Sequence, residues 1–337
     1  METKINTGLL AFGMSGKVFH APFIEAHKGF ILRGITERNT KIAATHYPSI
    51  ISYNSIDELI ADDEIDLVII NTPNFTHFDY AKQALNAGKH ILVEKPFTAT
   101  TGQAKELFAL AKSVGKKALV YQNRRYDSGF NAVKNVINGG QLGRLVEVHF
   151  RYDRYRNEIS PKFFKEEPYE ASGLLYDLGP HLLDQAISLF GKPDKFHKTL
   201  AKHRVNTQVD DYFTIHLSYP NDLNVFLTAS MLVAEIKDAF VVNGMMGSFN
   251  KNHADVQEMQ LLKNMKPTDE SYGIENPTDA GHLTLVTEDG GRKTSVIASE
   301  KGDYMGIFDA VYQNIVNDVP YPITEEDILV QLGILEH

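Results

Sequence analysis

The strongest constraint on this chain is the alternation that runs through its first third. Continuously apolar runs at Gly8–Phe12, Phe30–Ile35, Ile65–Ile70, His90–Val93 and Ala118–Tyr121 are separated by helix-like stretches. Those stretches fall at Lys17–Ala26, Thr40–His46, Ser55–Asp62, Phe78–Ala87 and Thr101–Ser113. Runs that are apolar at every position, not at every second one, suit strands covered on both faces. Single helices between them imply right-handed crossovers, hence a doubly wound α/β unit with a parallel sheet. Ser55 or Asp57 is the expected N-cap of the third helix, and Gly88 the expected C-cap of the fourth.

The pattern changes after Asn123. A helix over Ser128–Asn138 ends at Gly139-Gly140, and strand-like alternation begins at Leu145–Phe150. Similar runs follow at Tyr212–Tyr219, Val225–Ser230, Phe240–Val242 and Leu283–Thr287. They are not each followed by a helix, so this part is expected to form an open, mainly antiparallel sheet in an α+β arrangement. The boundary is placed near residue 123. A chain of 337 residues has room for two such domains.

Composition narrows the function. There are 34 basic and 43 acidic residues, for a formal charge of −9, and no cysteine. A scattered acidic excess argues against a nucleic-acid partner, which needs a basic surface. Without cysteine there is no disulfide, thiolate catalysis, iron–sulfur cluster or cysteine-ligated zinc. The opening METKINTGLL lacks a basic segment followed by a long apolar one, so no secretory leader is expected. The apolar runs are too short to span a bilayer. The expectation is a cytoplasmic protein with no membrane association.

The first strand leads into Ala11-Phe12-Gly13-Met14-Ser15-Gly16. Against the pattern G-x-G-x-x-G, Ala11 replaces the first glycine. Gly13 would let the backbone approach a pyrophosphate, Gly16 would allow close helix–strand packing, and the helix N-terminus would offer N–H groups. Ala11 is compatible with this only at negative φ. Glu37 follows Gly13 by 24 residues, near the position of an acid that holds adenosine ribose hydroxyls. Arg38 beside it would suit a 2′-phosphate. The sequence therefore points to NAD or NADP as cofactor, with a lean to NAD.

Three features together resemble the glucose–fructose oxidoreductase / inositol 2-dehydrogenase / rhizopine-catabolism (Gfo/Idh/MocA) family. They are the turn ending in Gly16-Lys17-Val18-Phe19-His20, the tripeptide Glu94-Lys95-Pro96, and the stretch Gly173-Leu174-Leu175-Tyr176-Asp177-Leu178-Gly179-Pro180-His181. Asn71-Thr72-Pro73-Asn74 with His77, Gln122–Asp127, and Asp210–Phe213 extend the likeness over nearly the whole chain. The resemblance implies a Rossmann domain, here 1–123, followed by a substrate-binding and oligomerisation domain, here 124–337. It implies hydride transfer between a nicotinamide and a secondary alcohol or ketone, usually on a sugar or polyol. It also implies a homodimer or higher homo-oligomer, and a catalytic lysine at Lys95.

Oxidising a secondary alcohol needs a base of near-neutral pKa and a donor for the developing alkoxide. Lys95 suits the second task and His181 the first. Asp177 lies four residues before His181, one helical turn if the helix has begun by then. It would orient the imidazole or hold a substrate hydroxyl. Pro180 would instead suit the first turn of a helix starting near Gly179. Asp184 completes a stripe that would also suit a divalent metal, but the resemblance implies a metal-free reaction, so no metal is expected. Phe12, Gly13, Met14, Ser15, Gly16, Glu37, Arg38, Thr72, Pro73, Asn74, His77, Glu94 and Lys95 are the candidate cofactor residues. Lys95, Arg125, Tyr152, Arg154, Asp177 and His181 are the candidates for substrate.

Two other functions fit the same residues. One is an NAD-dependent glycoside hydrolase in which a transient oxidation acidifies a neighbouring C–H. The other is a catalytically silent, cofactor-binding regulator, against which the presence of Lys95, Asp177 and His181 counts.

Overall fold

The structure, a computed structural model, describes residues 3–37, 39–252 and 254–337. The chain folds as two compact units. One contains the residues up to Gln122 with Leu261–Glu270 and Tyr304–Glu336, and the other Asn123–Gln260 with Ser271–Asp303.

In the first unit, strands β1 (Ile5–Leu9), β2 (Phe30–Thr36), β3 (Ile51–Tyr53), β4 (Leu67–Ile70), β5 (His90–Glu94) and β6 (Ala118–Tyr121) form a sheet. Their order is β3-β2-β1-β4-β5-β6, and every pairing is parallel. This is the order of a dinucleotide-binding sheet, with the direction of winding reversing between β1 and β4. Leu67, Val68, Ile69 and Ile70 are each at most 1% exposed, as a strand covered on both faces requires.

Helices α1 (Ala21–Ala26), α2 (Ala43–His46), α3 (Ile56–Ala61), α4 (His77–Asn86) and α5 (Thr101–Ser113) connect the strands. Ser55 caps α3, its hydroxyl accepting from Glu58 N at 3.1 Å. Gly88 follows α4 at φ +73°, the left-handed conformation that ends helices. Thr100 and Gln103 form a reciprocal capping box on α5, satisfying two otherwise unpaired N–H groups.

Two local expectations change. β1 starts at Ile5, not Gly8, because Thr7 is fully buried and belongs to the strand despite its hydroxyl. The three-residue edge strand β3 has too little apolar sequence to stand out from its polar neighbours.

The second unit holds α6 (Ser128–Asn138), β7 (Leu145–Asp153), α7 (Phe163–Glu166), α8 (Gly173–Phe190), β8 (Lys195–Ala201), β9 (Tyr212–Tyr219) and β10 (Leu223–Ser230). It continues with β11 (Phe240–Gly244), β12 (Gly247–Lys251), β13 (Gly281–Val286) and β14 (Arg292–Ile297), while α9 (Gln257–Leu262) follows β12. The sheet order is β14-β13-β12-β11-β7-β10-β9-β8. Its pairs are antiparallel except β7 with β10. The sheet is therefore mixed and mainly antiparallel, as expected.

On its inner face Val148, Phe150, Phe213, Ile215, Leu217, Val225 and Leu227 are fully buried, and α8 packs over β9 and β10. Strict alternation along β9 leaves Thr214, His216 and Ser218 on the other face.

Two further helices, α10 (Met305–Asn317) and α11 (Glu325–Glu336), return to the first unit. Phe308 of α10 stacks on Phe23 of α1 with ring centroids 5.5 Å apart, and α11 packs on α5.

Candidate active site

The carboxyl ends of β1 and β4 are tied together at the reversal point, where such sheets bind ligands. Asn71, just past β4, accepts from Ala11 N at 3.0 Å and donates to Ala11 O at 2.8 Å. One side chain thus fixes both polar groups at the start of the Gly-rich turn. Ala11 is not among the residues with positive φ, so replacing the usual first glycine introduces no backbone strain.

The turn's two glycines have different reasons for being glycine. A Cβ on Gly16 would stand 2.3 Å from Ala11 O, a contact no side chain tolerates. A Cβ on Gly13 would meet nothing within 4 Å, which leaves its backbone open to a ligand. Met14 is 45% exposed. Phe12 packs edge-on against Tyr47 at 6.2 Å, with the Lys17 ammonium 5.4 Å from its ring centre. Open backbone at Gly13, close packing at Gly16 and the winding reversal together fit a dinucleotide pyrophosphate.

Several acids and histidines brace this edge. Glu94, the last residue of β5, accepts from Ser15 Oγ at 2.5 Å and lies 2.9 Å from His20 Nε2. Burial works against its ionisation, but the contacts with His20 and Ser15 hold its pKa below the ordinary carboxylate value. Glu94 therefore anchors the Gly-rich turn. His77 is fully buried, with Nδ1 2.8 Å from Pro96 O and Nε2 3.0 Å from Thr72 O. Burial lowers its pKa, so the neutral ring donates to one of the two carbonyls. That geometry gives His77 a bracing role between Thr72 and Pro96. Thr72 is tied to Thr76, their hydroxyls 2.6 Å apart.

Glu37 differs most from expectation. It is 7% exposed, and its carboxylate accepts from Ile42 N (2.9 Å), Ala43 N (3.2 Å) and Ser52 Oγ (3.2 Å). Both oxygens are committed to shaping the loop into α2, a use that the spacing from Gly13 does not reveal. Arg38 lies outside the described residues.

Lys95 follows Glu94 and precedes Pro96, joined to it by a cis peptide. Both neighbours are held: Glu94 by Ser15 and His20, and the Pro96 carbonyl by His77. The lysine is half-buried.

In the second unit, α8 carries Asp177, His181 and Asp184. The helix begins at Gly173, so Pro180 lies in its interior, not in the first turn, and costs the helix one internal hydrogen bond. Asp177 and His181 consequently share a helical face. Asp210 fixes the start of α8: its carboxylate accepts from Leu175 N at 2.6 Å and its carbonyl from Leu174 N at 2.9 Å. Gly173, at φ +89°, has its Cβ position only 2.2 Å from that carboxylate.

The α8 acids already have partners. Lys165 Nζ lies 3.0 Å from each oxygen of Asp177. Arg125 Nε reaches Asp184 at 2.7 Å, and Asp184 is 2% exposed. His181 is 6% exposed. Gln185 donates to the Tyr152 hydroxyl at 3.2 Å and to Arg124 O at 3.1 Å. Burial, with Asp127 adding to it, raises the Tyr152 pKa. Arg124 lies over that ring at 5.3 Å. Arg125 and Tyr152 are thus both held against α8.

A cavity of about 550 Å³ opens beside the start of α8, and Asp177 and Arg154 line it. Sequence reasoning missed Lys165 and Arg204 on its wall, because their partners Asp177, Glu166 and Asp211 lie 7 to 38 residues away and share no helix or strand with them. Among the described residues, no group of three acidic or histidine side chains could hold a metal ion. No helix among them is long and apolar enough to cross a membrane.

Comparison with known proteins agrees with this geometry. Residues 5–122 match the model of an oxidoreductase family with an NAD-binding Rossmann fold. Residues 130–250 match the GFO/IDH/MocA C-terminal domain. The chain belongs to the GFO/IDH/MocA oxidoreductase family.

The uncharacterized oxidoreductase YhhX of Escherichia coli K12 is 38% identical, over 98% of this chain and 95% of its own length. The scyllo-inositol 2-dehydrogenase (NADP(+)) IolW of Bacillus subtilis is 32% identical, over 98% and 92%. A crystal structure of an oxidoreductase from Bacillus cereus superposes with a TM-score of 0.90 at 34% identity, covering 99% of this chain and 95% of that one. This GFO/IDH/MocA member is an oxidoreductase that uses NAD or NADP.

Proposed function

We propose that the protein moves a hydride between NAD(P) and a secondary alcohol, or the matching ketone, of a sugar, polyol or related compound. The observation that carries this reading is the pinning of both neighbours of Lys95, which fixes the backbone from which its amine extends at the carboxyl edge of β5. The nicotinamide, when bound, supplies the hydride acceptor or donor. Phe12, Gly13, Met14, Ser15 and Gly16, with Thr72, Pro73 and Asn74, are the residues assigned to hold the dinucleotide. Residues 1–123 are assigned to the cofactor, and 124–337 to substrate and self-association.

Lys95 donates a hydrogen bond to the reacting oxygen and stabilises the developing alkoxide. His181 accepts the hydroxyl proton. Asp177, held by Lys165, accepts from a neighbouring substrate hydroxyl.

The preference between cofactors is proposed afresh. The lean to NAD rested on Glu37, whose carboxylate is turned into its own loop. With that carboxylate already accepting from Ile42, Ala43 and Ser52, NADP(H) should be accepted at least as well as NAD(H). The name of IolW specifies NADP(+) for that relative.

Fluorescence titration with NADH and NADPH tests both statements. NADPH should bind at least as tightly as NADH, and a sugar and polyol panel run with the bound cofactor should give turnover. Binding of neither cofactor to folded protein would refute the reading. A large preference for NADH would restore Glu37 to the ribose.

Self-association is assigned to the outer face of the eight-stranded sheet. There Phe226 is sandwiched between His149 and His216, with ring centroids 4.9 and 4.6 Å away. Light scattering should report a dimer or larger, and Phe226→Glu should shift it toward monomer. A wild-type monomer would remove the assignment.

A further inference from the structure

The cavity beside α8 gathers five cationic side chains in a protein whose formal charge is −9. Arg154, Arg156, Lys162 and Lys165 all stand on its wall. Lys165 is paired with Asp177. Arg204, also on the wall, is paired with Glu166 at 2.8 Å and Asp211 at 3.2 Å. Among the described residues, the side chains of Arg154, Arg156 and Lys162 make no ion pair.

Two acids remain on the wall. Asp210 is bonded to Leu175 N, and burial raises its pKa. Glu158 is exposed, and its backbone carbonyl accepts from Arg204. With Asp211 included the acids match the cations in number, but Arg154, Arg156 and Lys162 are left outside the ion pairs among the described residues.

The backbone under both arginines is held, although the Arg156 side chain is exposed. Arg154 N donates to Ser230 O at 2.9 Å, its carbonyl accepts from Val233 N at 3.1 Å, and Arg156 N donates to Met231 O at 2.7 Å. This backbone pairing fixes where both side chains start. Arg154 itself is half-buried. Burial lowers its pKa, Asp177 and more weakly Glu258 oppose this, and the like charges of Arg156 and Arg124 add to it. A partly desolvated guanidinium with no ion-pair partner in contact is costly, and an incoming anion relieves that cost.

We propose that this cavity binds an anionic group, a carboxylate or a phosphate monoester, carried by the hydroxylated substrate itself. Arg154 is the bidentate contact, because its planar fork matches either anion. Arg156 and Lys162 supply flanking charge. The volume of about 550 Å³ is ample for a hexose-sized acid or phosphate. Asp177, on the same wall, would then meet a hydroxyl of the same molecule. The inference rests on the proposed reading of Asp177 as a substrate ligand, and it makes the substrate class a sugar or polyol acid or phosphate.

Calorimetric titration of the full protein tests this without turnover. Matched probes would be D-glucose, D-gluconate and D-glucose 6-phosphate, then myo-inositol and an inositol monophosphate, with inorganic phosphate alone as control. At least one anionic member should bind ten-fold or more tighter than its neutral parent. The member that does so separates carboxylate from phosphate.

Arg154→Gln should reduce that preference to about three-fold or less, Arg154→Lys should restore part of it, and Lys162→Gln should weaken it by about three-fold. Equal binding of neutral and anionic probes, or a preference that survives Arg154→Gln in folded protein, would overturn the inference. So would inorganic phosphate binding as tightly as the sugar phosphate, the mark of an adventitious ion only. Anion binding with no oxidation of any probe would count against the oxidoreductase reading alone.

Discussion

The two units hold their candidate residues by different physical means. In the first, main-chain contacts prevail: Asn71 on Ala11, Glu37 on Ile42 and Ala43, His77 on Thr72 and Pro96, with Glu94 on His20 as the side-chain pair. In the second, side-chain ion pairs prevail: Lys165 with Asp177, Arg125 with Asp184, Arg204 with Glu166 and Asp211, with Asp210 on Leu174 and Leu175 as the main-chain exception. A dinucleotide is a fixed shape that a rigid backbone edge can match. A substrate pocket differs between relatives, and charged side chains are the adjustable part. The difference predicts that damage to the first unit depends on backbone fit, and damage to the second on charge.

The largest effect on folding should come from Arg204→Gln. It leaves Glu166 and Asp211 buried without their cation, which typically costs about 3–5 kcal/mol. Chemical denaturation would measure it, and a loss under about 1 kcal/mol would mean that the ion pairs do not hold this unit together. Next is Gly16→Ala, whose Cβ must displace the Ala11 carbonyl. Overpacking of this kind costs about 1–3 kcal/mol, visible as a lower Tm with no dependence on salt.

Gly13→Ala sharpens the contrast within one turn. With nothing near its Cβ, the melting temperature should hold while the Kd for NADPH rises about ten-fold, a difference of roughly 1.4 kcal/mol. Unchanged cofactor affinity would place the pyrophosphate elsewhere.

The smallest effect is a pH dependence in the first unit. Burial, with Lys116 and then Lys117 beside it, holds the His90 pKa down to about 4. The unfolded chain, with its histidine near 6.5, binds the extra proton first. Stability from this group is present above about pH 6.5 and declines as pH falls toward 4. His90→Gln should flatten the Tm profile within that window. An unaltered slope would show that other groups set it.

These contrasts also explain what could be read in advance. The parallel sheet, the Gly-rich turn and the Glu94-Lys95-Pro96 tripeptide were legible because backbone constraints leave local marks, such as apolar runs and glycines at fixed spacing. The Asn71 clamp left only a weak mark, one polar residue closing a four-residue apolar strand. The loop contacts of Glu37 were not legible, because spacing locates a carboxylate but not the direction it faces. Lys165 and Arg204 were invisible, since ion pairs between distant segments obey no spacing rule. Pro180 misled for a related reason: proline suits a helix start, and here tertiary packing carries α8 through it.

The central claim is hydride transfer assisted by Lys95. Wild type and Lys95→Ala would be run side by side with NADP⁺ or NAD⁺ against the sugar, polyol and sugar-acid panel, following nicotinamide absorbance. Wild type should reduce the cofactor with at least one member. Lys95→Ala should be slower by about a thousand-fold, with cofactor affinity within a few-fold. Equal rates in the two proteins would contradict the account.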